Sequence, residues 1–234
     1  GSYGLPELLR DLCALPGEFW LRCMYCYPGG ITSELLEVMA SEPKVVPYID
    51  VPLQHVDAEL LRRMRRPSSR INPRRLVARL RQAVPGIALR TTMIVGFHGE
   101  TPAQHRRMLD GIRELRFDWL GAFPYSREPG TSAATAPRQV GERVRQKRWE
   151  AGMAGQAEIA QDSSRSRSGS VGRVPVEDYD KDRSQWIGRS AREAPEVDGA
   201  VLRQSARKLH PGQFVTPKII GADIYDVIAR VTRE

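Results

Sequence analysis

The sequence is poor in cysteine, with three among 234 residues, at Cys13, Cys23 and Cys26. That is too few to staple a small secreted domain, and a reducing cytosol is the expectation. It also lacks any apolar run long enough to span a bilayer, and its first residues do not read as a signal peptide, so a soluble cytoplasmic protein without a membrane partner is expected. Cys23 and Cys26 form a CxxC, but there is no second CxxC and no nearby histidine pair to complete four metal ligands. They fall in a stretch, Phe19 to Tyr27 (FWLRCMYCY), that reads as a strand. Residues three apart on a strand point to opposite faces, so the two are expected to be packing residues and no metal site is assigned. Acidic residues are absent from Arg62 to Arg81, where nine arginines stand without an interleaved aromatic. Such a run repels itself unless an anionic partner is expected, and the missing aromatics argue against base stacking there. The formal net charge of +8 also points to RNA or a ribonucleoprotein. There is no methionine at the start, and the chain is expected to be a piece of a longer one.

What is present alternates strand and helix. Leu5 to Leu15 has helical spacing and stops at Pro16-Gly17. After the Phe19 to Tyr27 strand and the Pro28-Gly29-Gly30 turn, Thr32-Ser33 can cap a helix SELLEVMA. Pro47 to Gln54 is a second strand, with Asp57 as cap of the helix that follows, and a further helix covers about Pro73 to Val84. The stretch Leu89 to Glu100 (LRTTMIVGFHGE) is a third strand that breaks at Gly96 into a glycine loop ahead of a helix from about Pro102 to Arg116. Trp119 to Tyr125 is a fourth strand. Four such alternations predict parallel βα units, an α/β architecture with part of a barrel rather than a complete one.

In βα barrels the chemistry lies at the C-terminal ends of the strands. Those ends carry Tyr27, then Gln54 with His55, then Gly96 to Glu100, then Tyr125 with Ser126. His55 taken alone reads better as a satisfied polar residue at a strand terminus. Gly96 and Gly99 remove Cβ where the backbone must come close to something or take positive φ, and Glu100 sets a carboxylate ahead of a helix.

Gln139 to about Arg167 is a polar, helix-prone segment that decays into SSRSRSGS, which puts a domain boundary near Ser168. The expected domains are 1–168 and 169–234. The second holds five short β-like runs between turns, the pattern of a small all-β, OB-like barrel. Acidic residues including Glu177, Asp178 and Asp180 near its front suit a basic protein surface, while Arg62, Arg63, Arg65 and Arg66 are the candidates for docking a substrate or ribosome.

Together YIDVPLQH, RTTMIVGFHGET, GAFPYSREPGT, VEDYD, WIGRS and APEVDG resemble one family over essentially the whole chain. The chain is similar to the radical S-adenosylmethionine methylthiotransferases with their C-terminal TRAM domain. PLQH favours the branch that modifies an aspartate of a small-subunit ribosomal protein; the alternatives are the tRNA adenosine branch and a non-catalytic module that binds RNA or the ribosome. The resemblance implies S-adenosylmethionine and two [4Fe–4S] clusters, one to generate a deoxyadenosyl radical and one to deliver sulfur. It places Gln54, Arg90, Gly96, Phe97, Gly99 and Glu100 on the S-adenosylmethionine wall, with Tyr125 and Ser126 on the same rim. The chain departs from the family where CxxxCxxC is absent and where His98 replaces the usual proline of GFPGET. It is therefore expected to lack the cluster ligands, to carry no catalytic residue of its own, to be inactive alone, and to expose strand edges that lower its solubility.

Overall fold

The computed structural model describes residues 4–66, 70–205 and 208–231. Gly1 and Ser2 lie outside the described residues, as do Pro67 to Ser69 within the arginine-rich stretch. Two compact units divide between Gln156 and Ala157.

The first unit carries α1 (Leu5–Ala14), β1 (Leu21–Cys23), α2 (Ser33–Ser41), β2 (Val45–Asp50), α3 (Ala58–Arg63), α4 (Pro73–Ala83), β3 (Ala88–Val95), α5 (Pro102–Leu115), β4 (Trp119–Pro124) and the short α6 (Ser132–Thr135). The strands form one parallel sheet in chain order, β1-β2-β3-β4. Helices α2 to α6 each start where a side chain takes up orphan N–H groups, whereas α1 begins after Gly4 without a side-chain cap. Thr32 accepts from Leu35 N, Asp57 from Leu60 N, and Asn72 from Arg74 N and Arg75 N. Thr101 and Gln104 form a capping box at α5, which ends with Arg116 at φ +45°. The helices bury Leu35, Leu60, Leu80, Met108 and Ile112 with Ile49, Leu89 and Met93 of the sheet. Helix α7 (Glu142–Ser166) begins in this unit, where Gln156 Nε2 donates to Phe117 O at 3.0 Å and Trp149 Nε1 to Ala122 O at 2.8 Å.

Two expectations about strands need correcting. The first strand is short: it ends at Cys23, because Tyr25 takes a left-handed φ of +54° and turns the chain. In the second unit the run QFVTPKIIGA is two strands, β8 (Phe214–Val215) and β9 (Lys218–Ala222), split at Thr216-Pro217, where proline cannot donate to a ladder. With β5 (Val174–Asp180), β6 (Gln185–Gly188), β7 (Val201–Gln204) and β10 (Val227–Arg230) the described strands there number six, in the order β8-β5-β6-β7-β10-β9. The pairing is antiparallel except for β7 with β10, and Val171, just ahead of β5, bridges Lys218 so that the sheet curls toward closure. Val174, Val201, Ile219, Val227 and Ala229 fill its interior.

Candidate functional site

The sheet of the first unit has one face under the helices and another that carries polar groups. Side chains alternate along a strand, so Arg90, Thr92 and Ile94 share the second face of β3. Arg90 Nη1 donates to Asp50 Oδ1 at 3.2 Å and to Thr92 Oγ1 at 3.3 Å. In register with Thr92 and Ile94 on β4 are Gly121 and Phe123, the latter 55% exposed. Asp50 is wholly buried and also organises the end of β1: its Oδ2 accepts from Tyr25 N at 3.1 Å and its carbonyl from Cys26 N at 2.8 Å.

At the C-terminal edge of β3 the glycine loop folds around Glu100. Gly96 and Gly99 have φ of +74° and +71°. Both carry out the close approach expected of them, but toward the chain's own arginines: a Cβ on Gly96 would sit 2.3 Å from Arg145 Cγ, and one on Gly99 2.3 Å from Arg63 Nη1. Arg145 lies across the loop to donate to Tyr125 O at 2.7 Å, and Arg63 donates to Gly99 O at 2.9 Å and Gln104 Oε1 at 3.0 Å. Glu100 is 4% exposed. Its Oε2 accepts from Gly96 N and from Arg148 Nη1 at 2.9 Å, while Oε1 faces His55 Nε2 at 3.5 Å and His105 Nδ1 at 3.6 Å. Burial alone would raise this carboxyl; the two imidazoles and the Arg148 guanidinium outweigh it and hold the pKa at about 2. His55 Nδ1 accepts from Asp57 N at 2.9 Å, which leaves the proton of a neutral ring on Nε2, toward Glu100.

The other expected site residues are spread more widely. Gln54, at φ +70°, bridges β3 through Thr92 O and Ile94 N, both at 2.8 Å. Phe97 is buried edge-on to Tyr125, ring centroids 5.0 Å apart. Tyr125 Oη is buried without a hydrogen-bond partner, and Ser126 is exposed. Arg62, Arg65 and Arg66 are exposed, whereas Arg63 is turned inward as described. Other arginines of the run are engaged with protein: Arg81 donates to the Leu115 and Arg116 carbonyls that end α5, and Arg74 pairs with Glu114. In the second unit Glu177 pairs with Arg189, Asp180 accepts from Asp182 N and Arg183 N, and Asp178 is exposed. Sequence reasoning passed over Asp50, His105, Arg145 and Arg148. Asp50 stands inside YIDVPLQH and could have been singled out as a carboxylate at a buried strand end; Arg145 and Arg148 come from a helix about fifty residues downstream and gave no local signal.

The expectation that Cys23 and Cys26 point to opposite faces is overturned. It assumed a continuous strand, and the turn at Tyr25 brings the two thiols close enough to interact. That interaction lowers the Cys23 thiol against the effect of burial and, with burial, raises Cys26.

Residues 2–112 match the Radical SAM superfamily model and residues 169–232 the TRAM domain model. The chain therefore carries a radical SAM region followed by a TRAM domain. Proteins similar to it are named ribosomal protein uS12 methylthiotransferase RimO. The protein of that name from Desulforudis audaxviator is 44% identical over 97% of this chain and 50% of its own length. Those from Roseiflexus castenholzii (46% identical; 96% and 47% covered) and Geobacter sulfurreducens (42%; 99% and 52%) are similar to the same extent. The chain thus spans about half the length of the curated relatives it matches.

Radical SAM enzymes use S-adenosylmethionine and a [4Fe–4S] cluster. The cluster does not fit the residues present: no group of three His, Cys, Asp or Glu side chains that could hold a metal ion is found among the described residues, and Cys13 lies outside the Cys23–Cys26 pair. S-adenosylmethionine fits better, because the rim offers a buried phenol oxygen without a partner, a hydroxyl at Thr92 and exposed aromatic surface at Phe123. No helix of the described residues is long and apolar enough to cross a membrane.

Proposed function

We propose that this chain supplies part of the S-adenosylmethionine wall and the TRAM module of an enzyme that adds a methylthio group to the β-carbon of an aspartate in ribosomal protein uS12. The observation that carries the reading is identity of 40–46% over 96–100% of the chain to proteins bearing that name, spanning both matched domains. Bound S-adenosylmethionine would supply the radical and the methyl group. The residues of this chain bind and orient it. Gln54, Arg90, Tyr125 and Ser126 lie along the strand ends, with Thr92 and Phe123 beside them. Gly96, Phe97, Gly99 and Glu100 serve by holding the loop's shape, since the first three pack against Arg145, Tyr125 and Arg63 and the fourth is buried under Arg148. The exposed Asp178 edge and the exposed arginines are the docking surfaces for a basic ribosomal protein or the ribosome, in the cytoplasm.

The test is complementation. A bacterial strain deleted for its own uS12 enzyme receives the full-length gene that encodes this chain, and uS12 and tRNA are both examined by mass spectrometry. One added methylthio group on the uS12 aspartate is the expected result. Unmodified uS12 with methylthiolated tRNA adenosine would overturn the reading in favour of the tRNA branch.

A further inference from the structure

We propose that Cys23 and Cys26 are a reversible dithiol–disulfide site built into the end of β1. The geometry is set by the fold and not by chance proximity. Parallel pairing with β2 seats Cys23 opposite Ile49, Tyr25 turns the chain at φ +54°, and Asp50 pins the turn through Tyr25 N and Cys26 N. The two thiols are thereby brought close enough to interact. Disulfides need Cβ atoms close and facing, and a CxxC turn held this way meets that need with little backbone movement. Cys23 is 6% exposed and Cys26 more so, which gives the pair one sulfur that solvent can reach and one behind it. The interaction with Cys26 also makes the Cys23 proton easier to lose than that of an isolated buried thiol.

The oxidant is a low-molecular-weight disulfide. Cys23 gives its proton to water, the resulting thiolate takes up the proton of Cys26, and the Cys26 thiolate so formed attacks one sulfur of that disulfide, breaks its S–S bond and expels one thiolate. Cys23 then loses its proton to water, attacks the Cys26 sulfur and expels the second thiolate. The protein dithiol is oxidised by two electrons and the small disulfide is reduced to two thiols. The bridge lies beside the Asp50–Arg90 pair and would lock the turn that presents Tyr25, 72% exposed, and Tyr27, 51% exposed. The redox state of the pair thereby sets the stiffness of this part of the rim.

The experiment uses the whole chain, equilibrated anaerobically with graded ratios of reduced and oxidised glutathione, quenched in acid, unfolded, alkylated and digested. The expected result is a peptide holding Cys23 and Cys26 that escapes alkylation and is lighter by two hydrogens, while Cys13 is alkylated throughout and dithiothreitol reverses the change. Cys26→Ser should stop at a mixed disulfide or remain reduced, and Cys13→Ser should behave as the parent, with circular dichroism confirming the fold of each. Three results would overturn the proposal: full alkylation of Cys23 and Cys26 at ratios that oxidise a dithiol control, disulfides formed only between chains, or bridges to Cys13. The peptide map of the unsubstituted chain decides the question even if a variant fails to fold.

Discussion

Replacing Glu100 by glutamine tests the charge network behind the glycine loop. The carboxyl moves from an ordinary 4.5 to about 2 on folding, and a depressed carboxylate contributes stability that is complete above the unfolded value and lost as pH falls through the folded one. That shift corresponds to about 3 kcal/mol at neutral pH, of which roughly half remains at pH 3. E100Q keeps the shape and one acceptor for Gly96 N and Arg148. It leaves the Arg148 guanidinium, 9% exposed, without a counter-charge and turns an amide N–H₂ toward the donor Nε2 of His55. The assay is urea unfolding at pH 7, 5, 4 and 3. At pH 7 the variant should be less stable by about 3 kcal/mol, and the gap should narrow by about 2 kcal/mol between pH 5 and pH 3 as the parent loses what the variant never had. A gap of under 0.5 kcal/mol at pH 7, or one that does not change with pH, would refute the account of Glu100 as a buried ion paired with Arg148.

Two further outcomes follow from where side chains have no room. Gly96→Ala combines left-handed backbone strain with a clash against the stem of Arg145, whereas the Cβ of Gly99→Ala meets only the far end of Arg63. Thermal unfolding should therefore place G96A about 2–4 kcal/mol below the parent and G99A at about half that loss. In the second unit a Cβ on Gly199 would lie 2.1 Å from the Tyr225 carbonyl oxygen, which is backbone and cannot swing aside. G199A should disrupt the β7–β10 pairing, seen as lost protection of the Val227 amide, which donates to Ala200 O, in hydrogen exchange; unchanged protection would refute the close approach.

Much of this protein was legible in its sequence because the relevant physics is local. Period-two and helical spacing, Thr32 and Asp57 as caps, and glycines at the end of an apolar run depend on neighbours within a few residues. The four parallel βα units and the second β-rich unit followed from that rhythm, and the separated motifs were enough for the family. Three things were decided only in three dimensions. Whether Cys23 and Cys26 diverge or meet turned on one left-handed residue, Tyr25, held by a carboxylate twenty-five positions away. What Gly96 and Gly99 make room for depended on Arg145 and Arg63, long side chains whose direction no spacing rule fixes. And Glu100, which from its position could have been a helix-dipole partner at the surface, is an interior anion because Arg148 and two histidines from three different segments converge on it. Burying a charge requires a counter-charge and hydrogen bonds around it at once, and that set is assembled only when distant parts of the chain pack together.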